Sequence, residues 1–149
     1  TELNKVATAA VTAKPGQNAA GAVDPAMESS DYEAALNAFK ARDYNQAIAG
    51  FKSFLKNYPE SALAANAQYW IGYSYYSLKD YRSAIAQQQK LIAMYPANAK
   101  VPDALLNIAS AQIEIREKKT AKKTLEDITA KYPGTTAAAL ASKRLATLK

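Results

Sequence analysis

The chain of 149 residues contains no cysteine and no histidine. Their absence excludes thiol nucleophiles, metal or haem sites built on these residues, and acid–base chemistry that depends on imidazole. Carboxylate, hydroxyl and lysine side chains remain as possible catalytic groups. The sequence has no Gly-rich phosphate loop, no nucleophile elbow and no cluster of metal ligands around them. We therefore predict that the protein is not an enzyme and has no cofactor.

Long apolar runs are also missing. No stretch of about 18 consecutive apolar residues occurs, so the sequence predicts no membrane insertion. The first residues lack the basic segment and apolar run of a signal peptide, which indicates a mature or truncated chain. The net charge of +6 and the pI near 9.4 weakly favour acidic partners.

Residues 1–28 have a composition unlike that of the rest of the chain. They are rich in Ala, Thr, Gly and Pro and contain no aromatic residue. Such a segment cannot bury enough apolar surface to offset the entropy lost on ordering. We expect a flexible, low-complexity linker over residues 1–28 and a folded domain over residues 29–149.

A Tyr-Pro pair ends a helical pattern three times, at Tyr58-Pro59, Tyr95-Pro96 and Tyr132-Pro133. The intervals are equal, because 96 − 59 = 37 and 133 − 96 = 37. A fixed period in the range of about 20–50 residues is typical of stacked supersecondary units. The prolines predict repeats at about 29–60, 61–97 and 98–134, followed by a capping helix over 135–148.

Each repeat is expected to be a helical hairpin, because apolar residues recur at three- and four-residue steps on both sides of an interruption. Asp43 and Asp80 suit the N-cap of the second helix in the first two repeats, and Glu117 takes this place in the third. Gln88 occupies a position that is usually apolar, and Lys118 replaces the tyrosine found at Tyr44 and Tyr81. The third hairpin should therefore be the least tightly closed.

Small residues recur at one position of the first helices and at one position of the second helices. They are Ala35, Gly72 and Ala109, and then Ala47, Ala84 and Ala121. This spacing resembles the tetratricopeptide repeat, whose ordinary period is about 34 residues. The longer period and the phrases NAQYWIGYSYYSLKDYRSAI, AKVPDALLNIA and KYPGTTAA resemble the C-terminal domain of the Tol-Pal-associated periplasmic family YbgF/CpoB, over about residues 31–149.

The resemblance implies an all-α, right-handed superhelix of three tetratricopeptide-like hairpins and a C-terminal capping helix. It further implies a non-catalytic, periplasmic protein-binding module of the Tol-Pal system. Its partners would be TolA and a peptidoglycan synthase, and its role would be to coordinate outer-membrane constriction with peptidoglycan synthesis during cell division. In that family a trimerising coiled coil precedes the linker. The resemblance thus implies a trimeric full-length protein, whereas without the coiled coil we expect a monomer or weak self-association through exposed apolar groove surface.

In repeats of this kind the first helices line a concave groove. By resemblance, the groove positions fall on Tyr32, Leu36, Phe39, Asn66, Tyr69, Trp70, Tyr73, Tyr76, Asp103, Leu106, Asn107, Ser110 and Ile113. The aromatic residues of the middle repeat suit capture of a peptide or helix, because they offer a large contact area with few rotors to order. The alternative is that the rings only pack between neighbouring repeats. No basic residue stands at the positions that clamp a chaperone tail's carboxylate, so that mode of binding is not expected.

Two other functions remain open at this point. One is a scaffold for outer-membrane assembly of the BamD kind, although such proteins carry a lipidated cysteine and about five repeats. The other is binding to an anionic surface through Lys118, Lys119, Lys122 and Lys123. Nucleic acid is not an expected partner, because no recognition motif and no basic stripe interleaved with aromatic residues are found.

Overall fold

The computed structural model describes residues 24–148, and within this range the regular structure is entirely helical. The helices are α1 (Pro25–Lys40), α2 (Tyr44–Asn57), α3 (Ala64–Ser77), α4 (Tyr81–Met94), α5 (Val101–Glu114), α6 (Lys118–Lys131) and α7 (Thr136–Thr147). Most of the predicted linker lies outside the described residues. Helix α1 begins at Pro25 rather than at the expected boundary of residue 29. Asp24 accepts a hydrogen bond from the Ala26 amide at 2.9 Å, and proline is favourable at a first helical position.

The helices form three hairpins, α1–α2, α3–α4 and α5–α6, and each hairpin packs against the next. Helix α7 packs on α6 and α5 and covers the end of the stack. The odd-numbered helices also contact one another, α1 with α3, α3 with α5 and α5 with α7, so they share one face. This is the predicted all-α repeat superhelix with its capping helix.

The turns inside the hairpins have the same backbone geometry. Arg42, Lys79 and Arg116 stand 37 residues apart and have φ of 66°, 66° and 67°. In the first turn the Asp43 amide donates to the Ala38 carbonyl at 2.9 Å, and the Arg42 amide donates to the Phe39 carbonyl at 2.9 Å. These two bonds define a Schellman motif. The left-handed position of this motif usually holds glycine. Because arginine or lysine stands there in all three turns, the sequence alone did not predict the motif.

The second helices begin and end as predicted. Asp43 accepts from the Gln46 amide and Asp80 from the Ser83 amide, both at 3.3 Å, whereas Glu117 makes no capping bond through its side chain. At the other end, Tyr58, Tyr95 and Tyr132 are the C-caps, with φ of −133°, −132° and −129°. The repeats are thus alike at both ends of the second helix, apart from the missing cap of α6.

The core lies between the hairpins, where small residues let the helices approach closely. Ala47, Ala84 and Ala121 are buried, as are Ala35 and Ala109. Phe51, Phe54 and Ile71 fill the space between α1, α2 and α3, and Leu125 and Ile128 fill that between α5, α6 and α7. Within residues 24–148, every helix is too short or too polar to cross a membrane.

Candidate functional site

Five half-buried aromatic rings form a continuous row on the face shared by the first helices. We call this row the aromatic ledge; it comprises Phe39, Tyr69, Trp70, Tyr73 and Tyr76. Ring centroids of neighbouring members lie 4.8–6.2 Å apart, from Phe39–Trp70 to Trp70–Tyr73. Contacts of this kind are worth about 0.5–1.5 kcal/mol beyond the burial of apolar area. The ledge is therefore a closely packed surface whose rings remain partly open to solvent.

The ledge is tied to the first repeat by a hydrogen bond. Trp70 Nε1 donates to the hydroxyl of Tyr32 at 3.1 Å. Tyr32 itself is buried and meets Phe51 and Phe54 edge to face, each at 5.6 Å. Burial raises the pKa of Tyr32, and the hydrogen bonds from Trp70 and Asn66 oppose the rise. Tyr32, predicted to face the groove, thus serves mainly to pack the first two repeats together.

Lys100 covers part of the ledge from the loop between α4 and α5. Its Nζ lies 4.7 Å from the ring centroid of Tyr69 and 5.9 Å from that of Trp70. The same ammonium lies 3.7 Å from Asp103 Oδ2, so the predicted groove residue Asp103 already has a charged partner. Burial, and then the negative charge of Asp103, raise the pKa of Tyr69 well above its usual value. The sequence offered no signal for Lys100, because it lies outside the helices that line the groove.

Asn107 was predicted to face the groove, but its side chain is buried in the core. Its Oδ1 accepts from Gln88 Nε2 at 3.0 Å, and the same Nε2 donates to the Tyr69 carbonyl at 3.0 Å. Gln88 is fully buried, and its Oε1 has no hydrogen-bond partner among the described residues. A Cβ on Gly72 would lie 2.4 Å from Gln88 Nε2. Gln88 of α4 is therefore hydrogen-bonded to both α3 and α5. Its side chain leaves no room for a Cβ at position 72, which explains the glycine there.

The remaining predicted positions divide between packing and surface. Leu36 packs against the first core cluster and Leu106 against the cluster beneath α7. Asn66 and Ile113 are half-buried. Ser110 is buried and donates to the Leu106 carbonyl at 3.1 Å.

A cleft of about 360 Å³ continues the ledge toward the C-terminal end of the stack. Its walls come from three odd-numbered helices, α3, α5 and α7, and from the C-cap of α7: Tyr76, Ser110, Ile113, Glu114, Arg144, Thr147 and Leu148. Arg144 Nη1 donates to Ser110 Oγ at 2.6 Å. Burial and the charge of Glu114 raise the pKa of Tyr76, and Arg144 opposes the rise. Arg144 was not among the predicted groove residues, because it lies on the capping helix α7, outside the repeat period.

The four lysines near the start of α6, Lys118, Lys119, Lys122 and Lys123, are exposed. The nearby Glu117 lies 3.6 Å from Arg82 across the α4–α6 surface, with both side chains largely in solvent. Within residues 24–148, no three carboxylate side chains are grouped so as to hold a metal ion.

Comparisons with known proteins agree with this architecture. A family model described as "YfiO: Outer membrane lipoprotein" matches residues 25–149. The cell division coordinator CpoB of Pseudomonas putida is 47% identical over 49 residues, which make up 33% of this chain and 18% of that protein.

Two solved structures share the fold at low sequence identity. The TPR domain of Arabidopsis OM64 is 18% identical, with a TM-score of 0.65, and the match covers 80% of this chain and 93% of that one. The TPR2B domain of yeast Sti1, in its pHsp70 complex, is 21% identical with a TM-score of 0.66, and the match covers 80% of this chain and 94% of that one.

Proposed function

Because the chain belongs to the outer membrane lipoprotein family YfiO and carries a tetratricopeptide-repeat domain like that of CpoB, we propose that it is a protein-binding module of the Tol-Pal system. In this proposal it acts in the periplasm, binds TolA and has no catalytic activity. With a peptidoglycan synthase as a second partner, it helps to coordinate outer-membrane constriction with peptidoglycan synthesis during cell division.

The aromatic ledge is the observation that carries the proposal. Five adjoining rings stay half-buried in the folded domain, although their own packing holds them in fixed positions. A partner that covers them gains apolar burial without the cost of ordering flexible side chains. Aromatic residues with a polar edge are also the residue types that most often dominate binding energy at protein interfaces.

Pull-down from an envelope extract tests the proposal, with the domain as bait. Trp70→Ala combined with Tyr73→Ala should abolish capture of TolA while the helical circular dichroism signal persists. The matched control is Met94→Ala with Leu140→Ala, which removes two exposed apolar side chains outside the ledge. The control should capture as much TolA as the unchanged domain, and full capture by the Trp70 and Tyr73 variant would refute the proposal.

A second variant covers the case in which loss of Trp70 unfolds the domain. Tyr73→Glu keeps the bond between Trp70 and Tyr32 and places a charge in the middle of the ledge. It should lose TolA binding and still show cooperative unfolding. Normal TolA binding by this folded variant would mean that the rings serve only to pack the repeats.

A scaffold for outer-membrane assembly is a second candidate, favoured by the match of residues 25–149 to an outer membrane lipoprotein family. Under this alternative the same ledge would capture outer-membrane assembly proteins, and TolA would be absent from the pull-down. Binding to an anionic surface through the lysines of α6 is distinguished by salt. A contact made by exposed charges should be lost at about 0.5 M salt, whereas binding to the ledge should persist.

A further inference from the structure

Arg144 places a positively charged side chain beside the aromatic ledge. Its guanidinium uses one N–H group for the bond to Ser110 Oγ. Among residues 24–148, no carboxylate oxygen lies within ion-pair distance of Arg144, whereas Lys100 is already paired with Asp103. A guanidinium carries five N–H donors arranged as a planar fork, and the fork matches a carboxylate with two parallel hydrogen bonds.

The neighbours of Arg144 leave this fork free for a ligand. Ser110 accepts from Arg144 and uses its own proton for the Leu106 carbonyl, so the hydroxyl holds the guanidinium in place. Glu114 also lines the cleft and acts on Tyr76, but among residues 24–148 its carboxylate lies beyond ion-pair distance of the Arg144 guanidinium. The apolar side chains of Ile113 and Leu148 complete the walls. A volume of about 360 Å³ is at the lower end of the range for ligand pockets, about 300–1,000 Å³.

From this geometry we infer that the cleft binds an acidic side chain, Glu or Asp, of a partner segment that is otherwise apolar. The carboxylate pairs with the free edge of the Arg144 guanidinium, and an adjoining apolar side chain contacts Ile113 and Leu148. Tyr76 belongs to both the ledge and the cleft, so a segment that lies along the ledge runs on into the cleft. This continuity favours a side chain within a segment over the carboxylate at its end.

The inference deepens the proposed function and rests on it for the identity of the partner. The ledge supplies affinity through apolar contact. Arg144 requires in addition that the partner segment carry one carboxylate side chain at a fixed distance from the part that covers the ledge. Binding of a carboxylate side chain at Arg144 can be tested without TolA. The probes are the tripeptide acetyl-Leu-Glu-Leu-amide and the same peptide with Gln in place of Glu.

Nitrogen-15 NMR titration of the domain measures binding at the cleft. The Glu peptide should shift the amide signals of Ser110 and Thr147 in a saturable way, and the Gln peptide should bind at least tenfold more weakly. Arg144→Gln should reduce affinity for the Glu peptide to that for the Gln peptide. Lys143→Gln is the matched control, because it removes the same charge from an exposed neighbour on α7 and should leave the preference intact.

Equal binding of the two peptides, no saturable shift at Ser110 and Thr147, or an unchanged preference in Arg144→Gln would each overturn the inference. A free-acid peptide, acetyl-Leu-Gln-Leu, tests the other source of a carboxylate. Its tighter binding than the Glu amide would also overturn the inference. In Trp70→Ala with Tyr73→Ala, the Glu preference should remain even if TolA binding fails, so the two proposals fail separately.

Discussion

Trp70 Nε1 donates a hydrogen bond to the hydroxyl of Tyr32 at 3.1 Å and so joins the first helices of two neighbouring repeats. The indole has two functions in consequence. One edge fixes the stacking of the repeats, and its faces contribute to the surface offered to a partner. In the proposed function, stability and partner binding at the aromatic ledge are therefore coupled through Trp70.

Tyr32→Phe should lower the free energy of unfolding by about 1 kcal/mol, because it leaves the indole N–H of Trp70 without its acceptor. Urea unfolding followed by circular dichroism measures the change. Tyr44→Phe is the control, since its hydroxyl makes no hydrogen bond to residues 24–148. Equal losses in the two variants would argue that the bond contributes nothing to stability.

Gly72→Ala should destabilise the domain by about 1–3 kcal/mol, although alanine is the better helix former. The added Cβ would lie 2.4 Å from Gln88 Nε2, which is buried and holds two hydrogen bonds. In a Gln88→Ala background, the same change should cost little or nothing. Thermal and urea unfolding of the four proteins give the coupling energy, and additive effects would contradict a direct clash.

Lys79→Gly should stabilise the domain by about 0.5–1 kcal/mol, because Lys79 has φ of 66° and glycine reaches this conformation without steric cost. Lys90→Gly provides the opposite control. It lies exposed within α4, and the change there should cost about 1 kcal/mol. The midpoint of urea unfolding should thus rise for Lys79→Gly and fall for Lys90→Gly. A fall in both variants would contradict the predicted stabilisation by glycine at position 79.

Above about pH 10 the domain should lose stability as the pH rises. Burial raises the pKa of Tyr58, and its hydrogen bond to Asp31 at 2.7 Å adds to the rise; burial and Asp103 raise that of Tyr69. Both hydroxyls then keep their protons in the folded domain while the unfolded chain ionises near pH 10. Their stabilising effect is complete below that pH and is lost above it. Tyr69→Phe should flatten the decline in the free energy of unfolding above about pH 10, measured by urea unfolding. An unchanged slope would contradict this prediction.

The uncapped start of α6 should appear in hydrogen exchange. Amides of residues 118–131 should exchange faster than those of 44–57, because Glu117 makes no capping bond where Asp43 does. Glu117→Asp should narrow the difference and stabilise the domain by about 0.5 kcal/mol. Glu117→Asp also removes the ion pair with Arg82, but this pair is exposed and contributes little to stability. Equal exchange rates in the two helices would contradict the expectation.

The periodic features of the fold could be predicted from the sequence. Equal spacing of Pro59, Pro96 and Pro133 located every second helix, and Asp43 and Asp80 are the caps that their positions indicated. These features depend on local chemistry, which a sequence displays directly. The left-handed turn residues were missed, because Arg42, Lys79 and Arg116 are residue types that rarely mark such a turn.

The candidate site was predictable only in part. The aromatic rings of the ledge were identified from repeat register, whereas Lys100 and Arg144 reach the groove from outside the repeated first helices. Asn107 occupies a groove position by register but turns inward to Gln88, a partner 19 residues away in the chain. Contacts between residues that follow no common period arise only when the chain has folded.

The near identity of the C-caps at Tyr58, Tyr95 and Tyr132 makes the stack modular along its axis. A copy of residues 60–96 inserted after Pro96 would meet matching ends on both sides and would lengthen the superhelix by one repeat. The length of the face shared by the first helices is therefore a quantity that gene duplication can change in steps of 37 residues. Helix α7 would still close the stack, at a greater distance from Trp70.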